Sequence, residues 1–139
     1  MRKDARKVAF SLIYEYIFTQ QADDGALQQF LESYDADEKK FDLDEQDVEF
    51  VKNIYNGTIN NFNDYRNRVA ALAKGFKEER LFKVDLAILM MALYELECTD
   101  TPAPVVINEA VNLGKIYSTE NSAGFINGIL AQYLKDTNN

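Results

Sequence analysis

The stretch VDLAILMMALYELE, residues 84–97, is apolar around almost its whole circumference when it is drawn as a helix. A helix at a protein surface carries one apolar stripe, whereas a helix that is apolar on all sides has to be buried by neighbouring segments. The stretch therefore predicts a central buried helix in an all-α protein.

The segments on both sides of this helix repeat apolar residues at helical spacing. After the connector TDTPAP, residues 99–104, two helices are predicted over about 103–117 and 122–136. Upstream, a first helix is predicted from near Asp4 to about Gln20, and a shorter second helix over about 24–34. A third helix is predicted to begin at Asp44, with Asp47 three residues on, and a fourth to cover about 62–73, with a break at Gly75. We therefore expect about seven helices in a single domain over residues 1–139.

The last predicted helix contains an unfavourable pair, Asn127-Gly128, in SAGFINGILAQYL at 122–134. Asn-Gly is a typical hairpin signal, yet the flanking apolar residues follow a helical period. Gly124 and Gly128 lie four residues apart on one helical face. We expect these small residues to let another helix approach closely and Asn127 to bond a neighbouring backbone group, so that packing outweighs local propensity.

Composition excludes several classes of protein. The chain has no histidine and a single cysteine, Cys98, which excludes histidine-based catalysis, ordinary zinc sites and a disulfide within the chain. Glu15 interrupts the apolar part of the N-terminal segment, so that segment does not resemble a signal peptide, and no apolar run is long enough to span a membrane. A cytoplasmic protein that makes no contact with membranes is expected.

Charge is unevenly placed along the chain. Residues 23–49 hold eleven acidic side chains against two lysines, a net of −9, so the other 112 residues carry +1 of the total of −8. At the N-terminus, four basic residues fall at i, i+4 pairs and are predicted to cluster on one helical face: Arg2, Lys3, Arg6 and Lys7. They are interpreted either as a solvated helix start or as a phosphate-contacting patch. The helix dipole favours the second interpretation: it disfavours cations at a helix N-terminus, so their presence there is better explained by a contact such as phosphate.

An enzyme that uses carboxylates, such as Glu95 with Glu109, is a further hypothesis, since Glu95 lies in a nearly all-apolar helix. A structural hydrogen bond is the favoured role of Glu95, because the sequence has no glycine-rich phosphate loop and no metal-ligand constellation. We expect no catalytic residue, no metal site and no cofactor.

Three motifs in order resemble the NusB family of transcription antitermination factors: ILMMALYEL at 88–96, P-x-x-V-V-I-N-E-A-V-x-L-x-K at 102–115 and FINGIL at 125–130. ARKVAFSLIYEY at 5–16 resembles the first helix of the family, and FKEERL at 76–81 resembles the segment before its central helix. The resemblance covers nearly the whole chain and keeps both the order and the spacing of the motifs.

The resemblance implies two small helical bundles that share the central helix. It also implies a bacterial factor that is not an enzyme. Such a factor pairs with the ribosomal protein NusE, binds the single-stranded boxA element of ribosomal RNA leader transcripts and promotes elongation by RNA polymerase, which it contacts indirectly with other antitermination factors.

The resemblance also assigns residues to two surfaces. The RNA surface combines the basic first helix with the turn between the last two helices: Arg2, Lys3, Arg6, Lys7, Lys115, Tyr117, Asn121 and Phe125. The partner-protein surface lies on the first helix, on the central helix and on the segment before it: Tyr14, Glu79, Arg80 and Asp85.

This chain departs from the family at two points, because Asp4 interrupts the basic start and Asn121 stands where an acidic residue is common. The acidic region 23–49 would repel RNA, so we expect it to lie away from the RNA surface. The alternative function is a helical protein-interaction module with little RNA affinity of its own.

Overall fold

A computed structural model describes residues 2–21, 25, 28–29, 43–74 and 81–138. These residues form six α-helices and their connecting segments, with no strand among them. The helices are α1 (Arg2–Thr19), α2 (Glu45–Asn60), α3 (Phe62–Ala73), α4 (Lys83–Cys98), α5 (Ala103–Tyr117) and α6 (Ser122–Thr137). The prediction of an all-α protein is confirmed.

The predicted helix bounds agree with the structure to within two residues, wherever a bound is predicted and the residues are described. At the start of α2, the Asp44 carboxylate accepts a hydrogen bond from the Asp47 backbone N–H (2.8 Å), and the Asp47 carboxylate accepts one from the Asp44 N–H (3.3 Å). This reciprocal cap confirms the predicted helix start. The predicted helix over 24–34 lies mostly, and Gly75 entirely, outside the described residues.

The chain divides into two compact units, residues 1–60 and 61–139. In unit 1, α1 packs against α2. Their buried apolar residues include Val8, Leu12, Val51 and Ile54. Burial of such side chains stabilises the fold by about 1.5–3 kcal/mol each, so this helix pair is held chiefly by apolar contact.

In unit 2, α4 contacts each of α3, α5 and α6. Eight consecutive α4 residues, 86–93, are buried, which confirms the predicted central helix. The further prediction, that two bundles share this helix within a single domain over 1–139, stays a prediction.

The close helix approach in unit 2 depends on Gly114 rather than on Gly124. A Cβ added at Gly114 in α5 would lie 2.7 Å from Cδ1 of Ile126 in α6, whereas a Cβ at Gly124 would meet no atom within 4 Å. The Asn127 side chain is exposed. The expectation for Gly124 was wrong, because a Cβ there meets open space, and the expectation for Gly128 stays a prediction.

None of the helices in the described ranges is long and apolar enough to cross a membrane.

Candidate RNA-contacting and partner-contacting surfaces

The four N-terminal basic residues, called here the basic cluster (Arg2, Lys3, Arg6 and Lys7), divide between two environments. The Arg2 guanidinium carbon lies 4.2 Å from the Phe50 ring centroid, and that of Arg6 lies 5.1 Å from it. Arg6 is only 6% exposed, while Lys3 is exposed. Because residues four apart share a helical face, Arg2 and Arg6 point together towards α2 in unit 1.

Arg2 has a second partner in α2, since its Nε lies 3.3 Å from Oδ1 of Asp47. Burial raises the pKa of Asp47. Two other effects outweigh burial and hold the pKa below 3.8: hydrogen bonds to the carboxylate, including the one from the Asp44 backbone N–H, and nearby positive charge, including that of Arg2. Lys7 is half-buried, and its Nζ lies 3.8 Å from Oδ1 of Asp4. The arginines of the basic cluster are therefore engaged within unit 1.

The turn that joins α5 to α6 in unit 2, residues 118–121, presents its neighbouring side chains to solvent. Lys115 and Asn121 are exposed, and Tyr117 is 38% exposed. Phe125, in the first turn of α6, is only 9% exposed and therefore belongs largely to the core. Three of the four residues assigned here by resemblance thus face solvent around a single turn.

Sequence reasoning missed the hydroxyl groups that hold this turn in place. Ser118 Oγ donates to Oδ1 of Asp85 (2.6 Å), and Ser122 Oγ donates to Oδ2 of the same carboxylate (3.0 Å). Thr119 joins them, because its Oγ1 lies 3.0 Å from Ser122 Oγ. We call these four residues the serine–aspartate cluster. No local signal in the sequence pairs Asp85 with residues 33 and 37 positions away.

The residues predicted to contact the partner protein are only partly described. Tyr14 is half-buried on α1, stacked on Phe10 at 5.9 Å and edge-on to Phe18 at 5.1 Å between ring centroids. Phe18 is exposed. Asp85 is only 2% exposed, and both its oxygens accept hydrogen bonds within unit 2. Glu79 and Arg80 lie outside the described residues, and the assignment of this surface stays a prediction.

A second polar cluster joins α3, α4 and α6 away from the turn. Arg68 donates two hydrogen bonds to the Glu97 carboxylate, and Tyr133 Oη donates a third (2.5 Å). The hydrogen bonds from Arg68 hold the pKa of Glu97 below 4.5, and burial with the Glu97 charge raises that of Tyr133 to about 12. This cluster stabilises helix packing.

The two residues of the carboxylate-enzyme hypothesis belong to helices of unit 2. Glu95 is buried in α4, and Glu109 is half-buried in α5. Within residues 2–21, 43–74 and 81–138, no three acidic or cysteine side chains come together in a way that could hold a metal ion.

The described helices define an all-helical protein with exposed cationic and aromatic side chains around the α5–α6 turn. Residues 3–135 match the family model described as the NusB family. The chain belongs to this family.

Named relatives and solved structures agree with the family assignment. The transcription antitermination protein NusB of Acetivibrio thermocellus is 38% identical in an alignment of 135 residues that covers 96% of this chain and 88% of the relative. A structure of T. maritima NusB is 29% identical, with a TM-score of 0.75 over 97% of this chain and 91% of that one.

A third match shows the fold alone, because it is only 21% identical. It is the structure of antitermination factors NusB and NusE in complex with dsRNA, with a TM-score of 0.77 over 97% of this chain and 96% of that chain.

Proposed function

We propose that this protein is a bacterial transcription antitermination factor of the cytoplasm. It binds single-stranded boxA-type RNA of ribosomal RNA leader transcripts together with the ribosomal protein NusE and favours processive elongation by RNA polymerase. It acts by binding and not as an enzyme. Membership of the NusB family over residues 3–135 is the observation that carries this proposal.

The exposed side chains around the α5–α6 turn support the RNA-binding part of the proposal. Lys115 supplies a cation for phosphate contact, Tyr117 an aromatic face for stacking on a base, and Asn121 donors and acceptors for base edges. Single-stranded RNA is commonly held by these three kinds of contact.

Within unit 1, we assign RNA contact chiefly to Lys3 and Arg2 of the basic cluster. Lys3 is exposed, and the Arg2 side chain is 44% exposed despite its contacts with Asp47 and Phe50. A partly exposed guanidinium over an aromatic ring retains donors for a phosphate oxygen. We assign Arg6 to a supporting role, because it is buried.

A helical protein-interaction module remains the second candidate function. The engagement of Arg2 by Asp47, the burial of Arg6 and the net charge of −8 favour it, because each reduces the positive charge offered to RNA. In this case the chain binds NusE and adds no RNA affinity to the pair.

The test is a titration of fluorescent boxA-type RNA with the full chain, with and without NusE, across a salt series. Lys115→Ala is compared with Lys135→Ala, which removes an exposed lysine from the last turn of the neighbouring helix, about 20 Å along α6 from the turn. We expect Lys115→Ala to weaken binding and to lower the log–log salt slope by about 0.7, the value of one phosphate contact on single-stranded RNA.

The control Lys135→Ala should keep the wild-type slope. Binding of NusE to the chain, with an RNA affinity of the pair that does not exceed that of NusE alone, would instead support the protein-interaction module.

A further inference from the structure

We propose that Asp85 is a positioning residue for RNA recognition: its buried carboxylate fixes both ends of the α5–α6 turn and so sets the arrangement of Tyr117 and Asn121. This inference rests on the proposed function, since it concerns the turn to which RNA contact is assigned there.

The two hydrogen bonds of Asp85 reach opposite ends of the turn. Ser118 directly follows α5, and Ser122 is the first residue of α6. Their hydroxyl groups lie 2.6 and 3.0 Å from the two oxygens of one carboxylate. The exposed residues between them, including Asn121, are therefore held at both ends, and Tyr117 directly precedes the first anchor.

Contacts between the hydroxyl groups close the serine–aspartate cluster. Ser118 and Ser122 each donate to Asp85, and Ser122 Oγ also lies 2.8 Å from Ser118 Oγ and 3.0 Å from Thr119 Oγ1. Ser122 Oγ also accepts from the Thr119 backbone N–H (3.3 Å), and the Ser122 N–H donates to the Thr119 carbonyl (3.0 Å). Such a closed set of donors and acceptors fixes one conformation of the turn.

The helix dipole favours an acid in the first turn of α4, but an exposed acid there would serve the dipole as well as a buried one. Asp85 is 2% exposed and precedes a run of apolar buried residues in α4, and a buried carboxylate costs free energy unless hydrogen bonds compensate. The α4 N-terminus and the two serines offset that cost. A buried carboxylate places two acceptor oxygens on one planar group, and these oxygens hold the serine hydroxyls at the two ends of the turn. Order before binding increases affinity, because fewer side chains are immobilised by the RNA.

The test measures the affinity of the full chain, saturated with NusE, for boxA-type RNA. Asp85→Ala removes both acceptors and should weaken RNA binding about tenfold, the cost of ordering two side chains on binding. Asp85→Asn accepts from one serine and donates to the other, so it should stay within about twofold of wild type. Ser118→Ala removes one anchor and serves as the second variant if Asp85→Ala does not fold.

Two comparisons separate positioning from general stability. Tyr133→Phe deletes a hydrogen bond of the second polar cluster in unit 2 and should leave RNA affinity unchanged. In a Tyr117→Ala background, Asp85→Ala should cost clearly less than tenfold, because one of the side chains that it positions is already gone. A loss of stability alone would instead give the full tenfold in both backgrounds.

Amide exchange tests the cluster independently of RNA. The Ser122 N–H should exchange faster in Asp85→Ala and at the wild-type rate in Tyr133→Phe. If wild type binds no RNA, the proposed function fails, and the exchange rates still report on the turn. Wild-type affinity in Asp85→Ala, equal losses in Tyr133→Phe, or a loss explained by weaker NusE binding would overturn the inference.

Discussion

The basic cluster and the α5–α6 turn are both assigned to RNA contact by family resemblance, yet they differ in how they hold their side chains. Arg2 and Arg6 lie over Phe50, and Arg6 is buried. Lys115 and Tyr117 face solvent beside a turn whose own ends are anchored. The difference shows that a cationic side chain can match a binding motif in the sequence and still be used for packing inside the fold.

The largest expected effect separates the arginines from the lysines of the basic cluster. Arg6→Ala should lower the free energy of unfolding by about 2 kcal/mol, because a side chain that is only 6% exposed loses its packing on Phe50 and leaves a cavity. Lys3→Ala, at an exposed position of the same helix, should stay within about 0.5 kcal/mol of wild type. Urea unfolding measures both, and equal values would remove the distinction drawn within the cluster.

The next effect concerns the helix pair that carries the turn. Gly114→Ala should destabilise the protein by about 1 kcal/mol, because Cδ1 of Ile126 has to shift within a filled core, and this cost exceeds the gain in helix propensity. Gly124→Ala meets open space and should stabilise α6 by up to about 1 kcal/mol. Thermal unfolding of the two variants provides the comparison. A stabilised Gly114→Ala would show that α5 and α6 pack less closely at this point.

The smallest expected effect concerns the ion pair between Arg68 and Glu97, in which a cation of unit 2 is used for helix packing. Because the pKa of Glu97 is lowered in the folded state, its contribution to stability is present above about pH 4.5 and is lost as the pH falls through the folded pKa. Glu97→Gln should therefore lower stability at pH 7 and differ less from wild type at pH 3. Both side chains are partly exposed, so the difference should stay below about 1 kcal/mol.

Denaturant unfolding at the two pH values measures this difference. Tyr133→Phe serves as the control: it removes a hydrogen bond of the same cluster while the Arg68–Glu97 ion pair stays in place. A gap between wild type and Glu97→Gln that is the same at both pH values would contradict the role given to the Glu97 charge.

Much of the fold could be predicted from the sequence, because local signals determine it. The apolar run at 86–93 predicted burial, and Asp44 with Asp47 predicted the start of α2. The confirmed signals lie within one or two helical turns of each other, where periodicity and capping are informative.

The candidate site was less accessible to such reasoning, because its contacts join distant positions. Phe50 lies 44 residues beyond Arg6, and Ser122 lies 37 residues beyond Asp85. The sequence grouped Arg6 with its basic neighbours by spacing alone, although its helical face is turned towards α2. Gly124 was similarly placed at a helix contact that Gly114 makes.

The central claim, that RNA contacts the α5–α6 turn, is tested most directly by photocrosslinking. A boxA-type RNA that carries 4-thiouridine would be crosslinked to the full chain with NusE, and the modified peptides would be mapped by mass spectrometry. The account predicts crosslinks in the segment from Lys115 to Asn121 that Tyr117→Ala reduces, together with crosslinks near Lys3. Crosslinks confined to NusE, or found on this chain only outside those segments, would contradict it.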